Sequence, residues 1–222
     1  MASLTEQRDR IVRTLYAAVL SDVMDSLGLA AQAMRPFVRP LDEELVLFGR
    51  ARTGLYMPRY EVAPGEDPYE LEIALVDDLA PGDVAVFACD GPTDRIAPWG
   101  ELLSTASQVR GAAGCVTDGL VRDIGRIRAM RFPVFHGGVG PLDSKGRGKM
   151  MEKDCRVVCA GVAVASGDYV FGDADGVVVV PGGAAEEVFA GALEKVSAED
   201  RTRDELRAGR SLRDVFDSFG VL

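Results

Sequence analysis

The sequence predicts an α/β fold in a single domain, and three observations carry that reading. Short apolar runs bounded by Gly, Pro or Asp recur from about residue 45 onward. Segments with helical patterning lie between them and are too short to form domains of their own, so strands and helices share one core. A chain of 222 residues that is 47% hydrophobic can bury such a core as one unit, residues 1–222.

Residues 1–30 are expected to hold an N-terminal amphipathic helix, because Ile11/Val12, Leu15/Tyr16, Val19/Leu20, Val23/Met24 and Leu27 recur at helical spacing until Gly28. The expected strands are LVLFGRA, DVAVFAC, GCVTDG, PVFHGG, RVVCAGVAVASGDYVFG and GVVVVP. WGELLSTASQVRGA and RDIGRIRAM read as helices between strands. GGVGP at 137–141 reads as a loop, and the polar stretch LDSKGRGKMMEKD, with Lys145, Lys149 and Lys153, as an exposed one. FGDADG lacks the remaining ligands of a calcium loop and reads as a tight turn. Residues 184–222 are expected to be helical: a long helix to Ala208 with a thin apolar stripe (Val188, Leu193, Val196, Leu206), a stop at Gly209, and a short closing helix, SLRDVFDSFG. Such a long helix suits either a solvated flank or a seat on a neighbouring subunit.

Composition narrows the function. With 35 acidic against 25 basic residues the net charge is −10, which repels a phosphate backbone, so nucleic acid is not an expected ligand. No apolar run reaches the roughly 20 residues of a membrane span and MASLTEQRDR lacks a signal-peptide core, so the expectation is a cytoplasmic protein without a membrane partner. Four scattered cysteines and the single His136 do not make a zinc site at recognisable spacing, and HExxH chemistry is excluded. A Ser-His-Asp triad finds no GxSxG elbow.

The chemistry gathers at DGLVRD, residues 118–123. GCVTDG reads as a buried strand entering a turn at Gly119, with RDIGRIRAM opening a helix, so Arg122 and Asp123 should project from a strand-to-helix junction, where α/β proteins place ligands. A carboxylate there offers oxygen to a hard cation, and a guanidinium offers a planar fork to a carboxylate. A helix cap by Asp123 and a surface pair between Arg122 and Asp118 would explain the same residues. What adds weight is the upstream loop CDGPTDRIAPWGELL, where Trp99, Gly100 and Glu101 stand at another helix entrance with free amides. Between Glu101 and Arg122 lie 20 residues, enough for one helix and a return strand, so the two junctions can sit side by side.

Glu101, the 20-residue interval and Arg122-Asp123, together with GDVAVF, WGELL, FPVFHGG, GDYVFGDADGVVVVP, SDVMDSLG and the terminal GVL, resemble the family that contains the regulator of ribonuclease activity A and the class II 4-hydroxy-4-methyl-2-oxoglutarate aldolases. The resemblance covers most of the chain. It implies a layered sandwich of the swivelling β/β/α type and a homo-oligomer, trimer or hexamer, with active sites between subunits. It implies Mg²⁺ or Mn²⁺ held at Asp123, Arg122 gripping a pyruvate-like ligand and stabilising its enolate, and amides of Leu102 and Leu103 receiving the carboxylate, with Gly100 beside them as a further substrate-binding position. Glu101 would act through water on the metal shell, and Glu199, from the C-terminal helix of a neighbouring subunit, would supply a further acid. Ser21, Asp22 and Asp25 would lie near the active site, although a solvated helix face explains them equally.

The implied function is divalent-metal-dependent cleavage of a 4-hydroxy-2-keto acid to pyruvate, with oxaloacetate decarboxylation as a side activity. Such cleavage leaves an enolate, which needs a cation at the keto oxygen and a clamp on the carboxylate. A Schiff-base route would need a lysine in a desolvated pocket. Two departures from the family pattern stand out: Glu101 where Asp is frequent, and Arg126 where aldolases commonly carry an acid. The alternative is a non-catalytic regulator that binds a ribonuclease as a protein partner, for which an acidic surface is suited.

Overall fold

The structure is a computed structural model that describes Leu4 and residues 6–220. In chain order its elements are helices α1 (Arg8–Thr14) and α2 (Ala17–Ser26), strands β1 (Arg39–Pro40) and β2 (Leu47–Pro58), α3 (Glu70–Asp77), β3 (Asp83–Ala88), α4 (Glu101–Val109), β4 (Gly114–Val121), α5 (Ile124–Met130), β5 (Val134–Val139), β6 (Gly148–Lys153), β7 (Val157–Cys159), β8 (Val162–Val164), β9 (Tyr169–Asp173), β10 (Gly176–Val180), α6 (Ala185–Arg207) and α7 (Leu212–Phe219).

Strands β2, β3, β4 and β5 are parallel neighbours. β3 is buried from Val84 to Ala88 and β4 along its whole length, which is why DVAVFA reads as a nearly continuous apolar run and GCVTDGLV as one interrupted only by the buried polar pair Thr117-Asp118. The sheet continues as β1-β5-β4-β3-β2-β9-β10, with β6 also on β2. Its two ends are drawn together by the stretch around β1. Ala33 bridges to Val178 on β10, Arg39 pairs with His136 on β5, and the Arg39 guanidinium donates to the carbonyls of Ala174 and Asp175 in the β9–β10 turn. The sheet is thereby nearly closed, and few unpaired strand edges remain.

Three apolar clusters define the layers. One joins the inner sheet face to the β7–β8 hairpin through Val86, Val116, Phe135, Val157 and Val164. A second packs α3, α4 and α5 on the other face around Phe87, Trp99, Leu75 and Ile127. The third packs α1, α2 and the first half of α6 around Phe48, Phe171, Phe189 and Leu20. The hairpin, sheet and helix layers realise the α/β sandwich expected from the sequence.

Several local expectations are corrected. The N-terminal helix is two helices: Leu15 and Tyr16 are extended, and the Asp173 carboxylate accepts the Ala17 amide at the new helix start. β4 runs straight through Asp118 and Gly119 to Val121, with an irregularity in its pairing to β5 between Thr117 and Leu120 rather than a turn. RVVCAGVAVASGDYVFG divides into β7, β8 and β9. Gly137 and Gly138 lie within β5, and Lys149 and Lys153 lie on β6, paired with Glu66 and Asp78. FGDADG is the β9–β10 turn, with the Asp175 amide on Asp173. The closing helix is α7, capped by Ser211; of the terminal GVL, Val221 and Leu222 lie outside the described residues.

Asp118 does not pair with Arg122. It is 1% exposed, and its carboxylate accepts the amides of Cys89 (2.6 Å), Gly91 (3.0 Å) and Ala160 (3.1 Å). One carboxylate thus ties β4 to the loop after β3 and to the β7–β8 turn. Asp118→Ala leaves two buried donors, Cys89 and Ala160, and the part-buried Gly91 amide without their acceptor, at about 1–3 kcal/mol for each buried one. Urea unfolding should show a loss of roughly 3 kcal/mol or more, against about 0.5 kcal/mol or less for Asp200→Ala on the exposed face of α6; equal midpoints would refute the tie.

Candidate active site

The loop before α4 is zipped onto the end of β4. The Leu120 amide donates to Ile96 (2.8 Å), Trp99 forms a parallel bridge with Val121, and the Arg122 amide donates to Trp99 (3.1 Å). Trp99 holds this loop from below: its ring is buried between Phe87 and Phe132, and its indole N–H donates to Ser104 Oγ at 2.8 Å. Gly100 and Arg122-Asp123 are therefore neighbours although 22 positions separate Gly100 from Arg122.

Asp123 has φ 61°, a left-handed conformation that Asp tolerates better than most residues. Its side chain makes no capping bond to α5. It turns instead toward α4, where Asp123 Oδ2 accepts the Glu101 amide at 3.3 Å and lies 3.8 Å from Arg122 Nε. A Cβ on Gly100 would stand 2.9 Å from Asp123 Oδ2 and 3.1 Å from Arg122 Cγ and Nε, so a side chain there would push both residues out of this placement. The amides of Leu102 and Leu103 belong to the first turn of α4, which has no intrahelical acceptors for them.

A cavity of about 380 Å³ opens over these groups, lined by Gly100, Leu102, Leu103, Arg122 and Asp123 from the two junctions, and by Tyr69, Glu72 and Asp143 from elsewhere. Arg122 Nη1 is 3.8 Å from Asp143 Oδ1, and the Tyr69 hydroxyl donates to Asp143 Oδ2 at 2.6 Å. Burial pushes the Asp143 carboxyl up, but the Tyr69 hydroxyl, nearby amides and Arg122 outweigh it and hold the group below the ordinary carboxylate range. Tyr69 is pushed up to about 12 by burial and by Asp143. Glu72 is 7% exposed, and burial raises its carboxyl to about 7 against the lowering effect of the Tyr56 hydroxyl bonded to it.

Other expected residues lie differently. Glu101 meets the site through its backbone amide, while its carboxylate accepts Thr105 Oγ1 at 3.0 Å along its own helix. Arg126 is exposed on α5 and does not line the cavity, nor do residues 137–141. Glu199 lies on α6, bonded to the Tyr16 hydroxyl, and does not line the cavity of its own chain; neither do Ser21, Asp22 and Asp25 on α2. Tyr69, Glu72 and Asp143 were not singled out from sequence. Glu72 had a legible signal: with Leu75, Val76 and Leu79 it falls on one helical face, an acid where an apolar residue belongs.

Among the described residues no three His, Cys, Asp or Glu side chains converge as a metal cage. The donor set fits a hydrated hard cation: Mg²⁺ is commonly held by one or two carboxylates with water and substrate oxygens, and Asp123, whose Oδ2 accepts the Glu101 amide, keeps Oδ1 without a partner among the described residues. The cleft walls combine apolar side chains (Ile73, Leu102, Leu103) with the Arg122 guanidinium, the free first-turn amides of α4 and the acids Glu72, Asp123 and Asp143, so a small anion would find its donors on the α4 and Arg122 side.

These features define an α/β protein with an anion-receptive cleft at paired strand-to-helix junctions. The chain belongs to the RraA-like family, described as Aldolase/RraA, whose model matches residues 17–179. It is 33% identical over 192 residues to a Halalkalibacterium halodurans protein named "putative 4-hydroxy-4-methyl-2-oxoglutarate aldolase", covering 86% of this chain and 84% of that one. An uncharacterized protein from Pseudomonas syringae pv. tomato superposes with a TM-score of 0.85 at 26% identity, over 99% of this chain and 95% of that one. Streptomyces coelicolor RraAS2, described as an unusual member of the RNase ES inhibitor RraA protein family, gives a TM-score of 0.76 at 27% identity, over 87% and 96% of the two chains.

The Glu72 environment has a consequence for stability. A carboxyl raised from an unfolded value near 4.5 to about 7 binds its proton more tightly in the folded state. It therefore costs nothing below pH 4.5, and stability falls as pH rises from there through 7, by up to roughly 3 kcal/mol. Glu72→Gln should be close to the parent in urea unfolding at pH 4.5 and more stable than it at pH 8. A difference that does not grow with pH would contradict the assignment.

Proposed function

We propose that the protein is a divalent-metal-dependent lyase that cleaves 4-hydroxy-4-methyl-2-oxoglutarate or a related 4-hydroxy-2-keto acid to pyruvate, with oxaloacetate decarboxylation as a side activity. The observation that carries this reading is the cradle at Gly100, where Asp123 and Arg122 converge beside the first-turn amides of α4. The names of the aldolase relatives support it.

In this reading the substrate carboxylate is received by the amides of Leu102 and Leu103 and by the Arg122 guanidinium, whose planar fork fits it bidentately. Asp123 would hold Mg²⁺ or Mn²⁺, which when bound withdraws charge from the keto oxygen. Asp143 and Tyr69 restrain Arg122 from the far side. The exposed Leu102 and Ile73 at the rim and the charged second half of α6 suit a homo-oligomer, trimer or hexamer, in which Glu199 would reach a neighbour's cleft. A cytoplasmic setting is in keeping with four free thiols, and no described helix is long and apolar enough to cross a membrane.

The second reading, a regulator that binds a ribonuclease without catalysis, draws on the likeness to RraAS2 and on the net charge of −10. Pyruvate release from 4-hydroxy-4-methyl-2-oxoglutarate or oxaloacetate separates the two. The lyase reading expects turnover that EDTA abolishes and Mg²⁺ or Mn²⁺ restores. It also expects Arg122→Lys, folded as the parent by circular dichroism, to lose on the order of 100-fold or more in kcat/KM. No turnover with any metal leaves the regulator; an undiminished Arg122→Lys removes the clamp.

A further inference from the structure

Glu72 occupies a position that its charge opposes. It shares the buried face of α3 with Leu75 and Val76, and no lysine or arginine among the described residues forms an ion pair with it. Oε2 accepts the hydroxyl of Tyr56, itself buried on β2 against Phe87. Oε1 has no protein partner and is not among the sealed polar atoms, while the residue lines the cleft that holds Arg122 and Asp123. One oxygen is thus anchored from behind and the other is left to the cavity.

We propose that Glu72 is the acid–base residue of this cleft, delivering a proton to the methylene carbon of the enolate and, in reverse, removing one from the methyl group of pyruvate. The proposal rests on the lyase reading above. In cleavage of a 4-hydroxy-2-keto acid, the C4 hydroxyl gives its proton to water as C4 becomes a carbonyl. The electron pair of the breaking C3–C4 bond passes into the enolate, and C3 takes the proton of Glu72. The carboxylate left behind recovers a proton from solvent through the open cleft. No oxidant or reductant enters.

The neighbours are unsuited to the task. Asp143 is held below the usual carboxylate range and carries no proton to give near neutral pH, and Tyr69, pushed up to about 12, parts with its proton too reluctantly. Glu72, raised by burial to about 7, exchanges a proton at working pH. The groups that act on it are Tyr56 from β2, Cys89 after β3, Arg122 after β4, Asp67 and Tyr69 before α3, and Asp143 after β5. The Tyr56 hydroxyl favours the ionised form. Its removal therefore raises the Glu72 pKa, which moves to higher pH any limb that reports ionised Glu72.

The test is exchange of the pyruvate methyl protons in D₂O, followed by proton NMR with Mg²⁺ or Mn²⁺ present. Glu72→Gln should slow exchange by about 100-fold or more, within the range typical of a lost general acid–base, while pyruvate affinity changes by less than about threefold. Tyr56→Phe should retain exchange with its pH midpoint displaced upward, a response that a purely structural role would not give. On the metal-free protein, infrared spectroscopy should show a protonated carboxyl band at pH 6 that fades as pH rises through 7 and is missing in Glu72→Gln. Exchange in Glu72→Gln within about threefold of an active parent, an unmoved Tyr56→Phe midpoint, or a parent without the band overturns the role of Glu72 alone. A parent that neither cleaves nor exchanges with any metal overturns the lyase reading, and the role falls with it.

Discussion

Three backbone contacts hold the functional end of this molecule together: Leu120 to Ile96, Trp99 beside Val121, and Arg122 to Trp99. They extend the parallel sheet by one short irregular strand beyond β4. Parallel pairing requires the two chains to run in the same direction, so both arrive at the same end of the sheet and both turn there into a helix. The α4 entrance with its free amides and the α5 entrance with Asp123 consequently open onto one cleft. The indole of Trp99, bonded to Ser104 and packed between Phe87 and Phe132, makes that meeting rigid. Displacing it would separate Gly100 from Asp123 and dissolve the cradle.

Within the cleft, charge is graded. Arg122 and the α4 amides form its electropositive wall, flanked by Asp123 and Asp143, both near the guanidinium. Behind them Tyr56 and Tyr69 each donate to one acid, Glu72 and Asp143 respectively, yet the two carboxyls respond in opposite directions. The difference is burial. Asp143 is partly solvated and lies beside Arg122, so the ionised form prevails, whereas Glu72 is set into an apolar helix face and its ionised form is penalised. Two carboxyls with separated proton affinities in one cavity are what acid–base chemistry at neutral pH needs.

The structure also answers why two carboxylates and an arginine crowd DGLVRD. They serve two different ends. Asp118 faces inward and organises three backbone segments, while Arg122 and Asp123, past the strand's end, face the cleft. The straight passage of β4 through Asp118-Gly119 makes this possible. A Cβ at Gly119 would press on Cys89 Sγ at 2.9 Å, on Pro98 at 3.0 Å and on the Ile96 carbonyl at 3.1 Å, so the loop carrying Ile96 could not lie so close to β4 if this residue had a side chain.

What the sequence by itself determined is the class of fold and the pairing of two segments. Apolar runs mark strands buried on both faces, nearly continuous in β3 and interrupted only by Thr117-Asp118 in β4, and the 20-residue interval between Glu101 and Arg122 has room for one helix and one strand. Those are local properties of spacing and burial. The N-terminal break at Leu15-Tyr16 was hidden because apolar spacing continues across it; the kink is set by Asp173, 158 and 157 positions away from those two residues, accepting the Ala17 amide. Only the tertiary structure decided which oxygen faces what: that Glu101 contributes an amide while its carboxylate turns to Thr105, and that Tyr69, Glu72 and Asp143 close the cleft. Side-chain direction and proton affinity depend on groups distant in the chain brought within a few ångströms, and no local pattern encodes those distances.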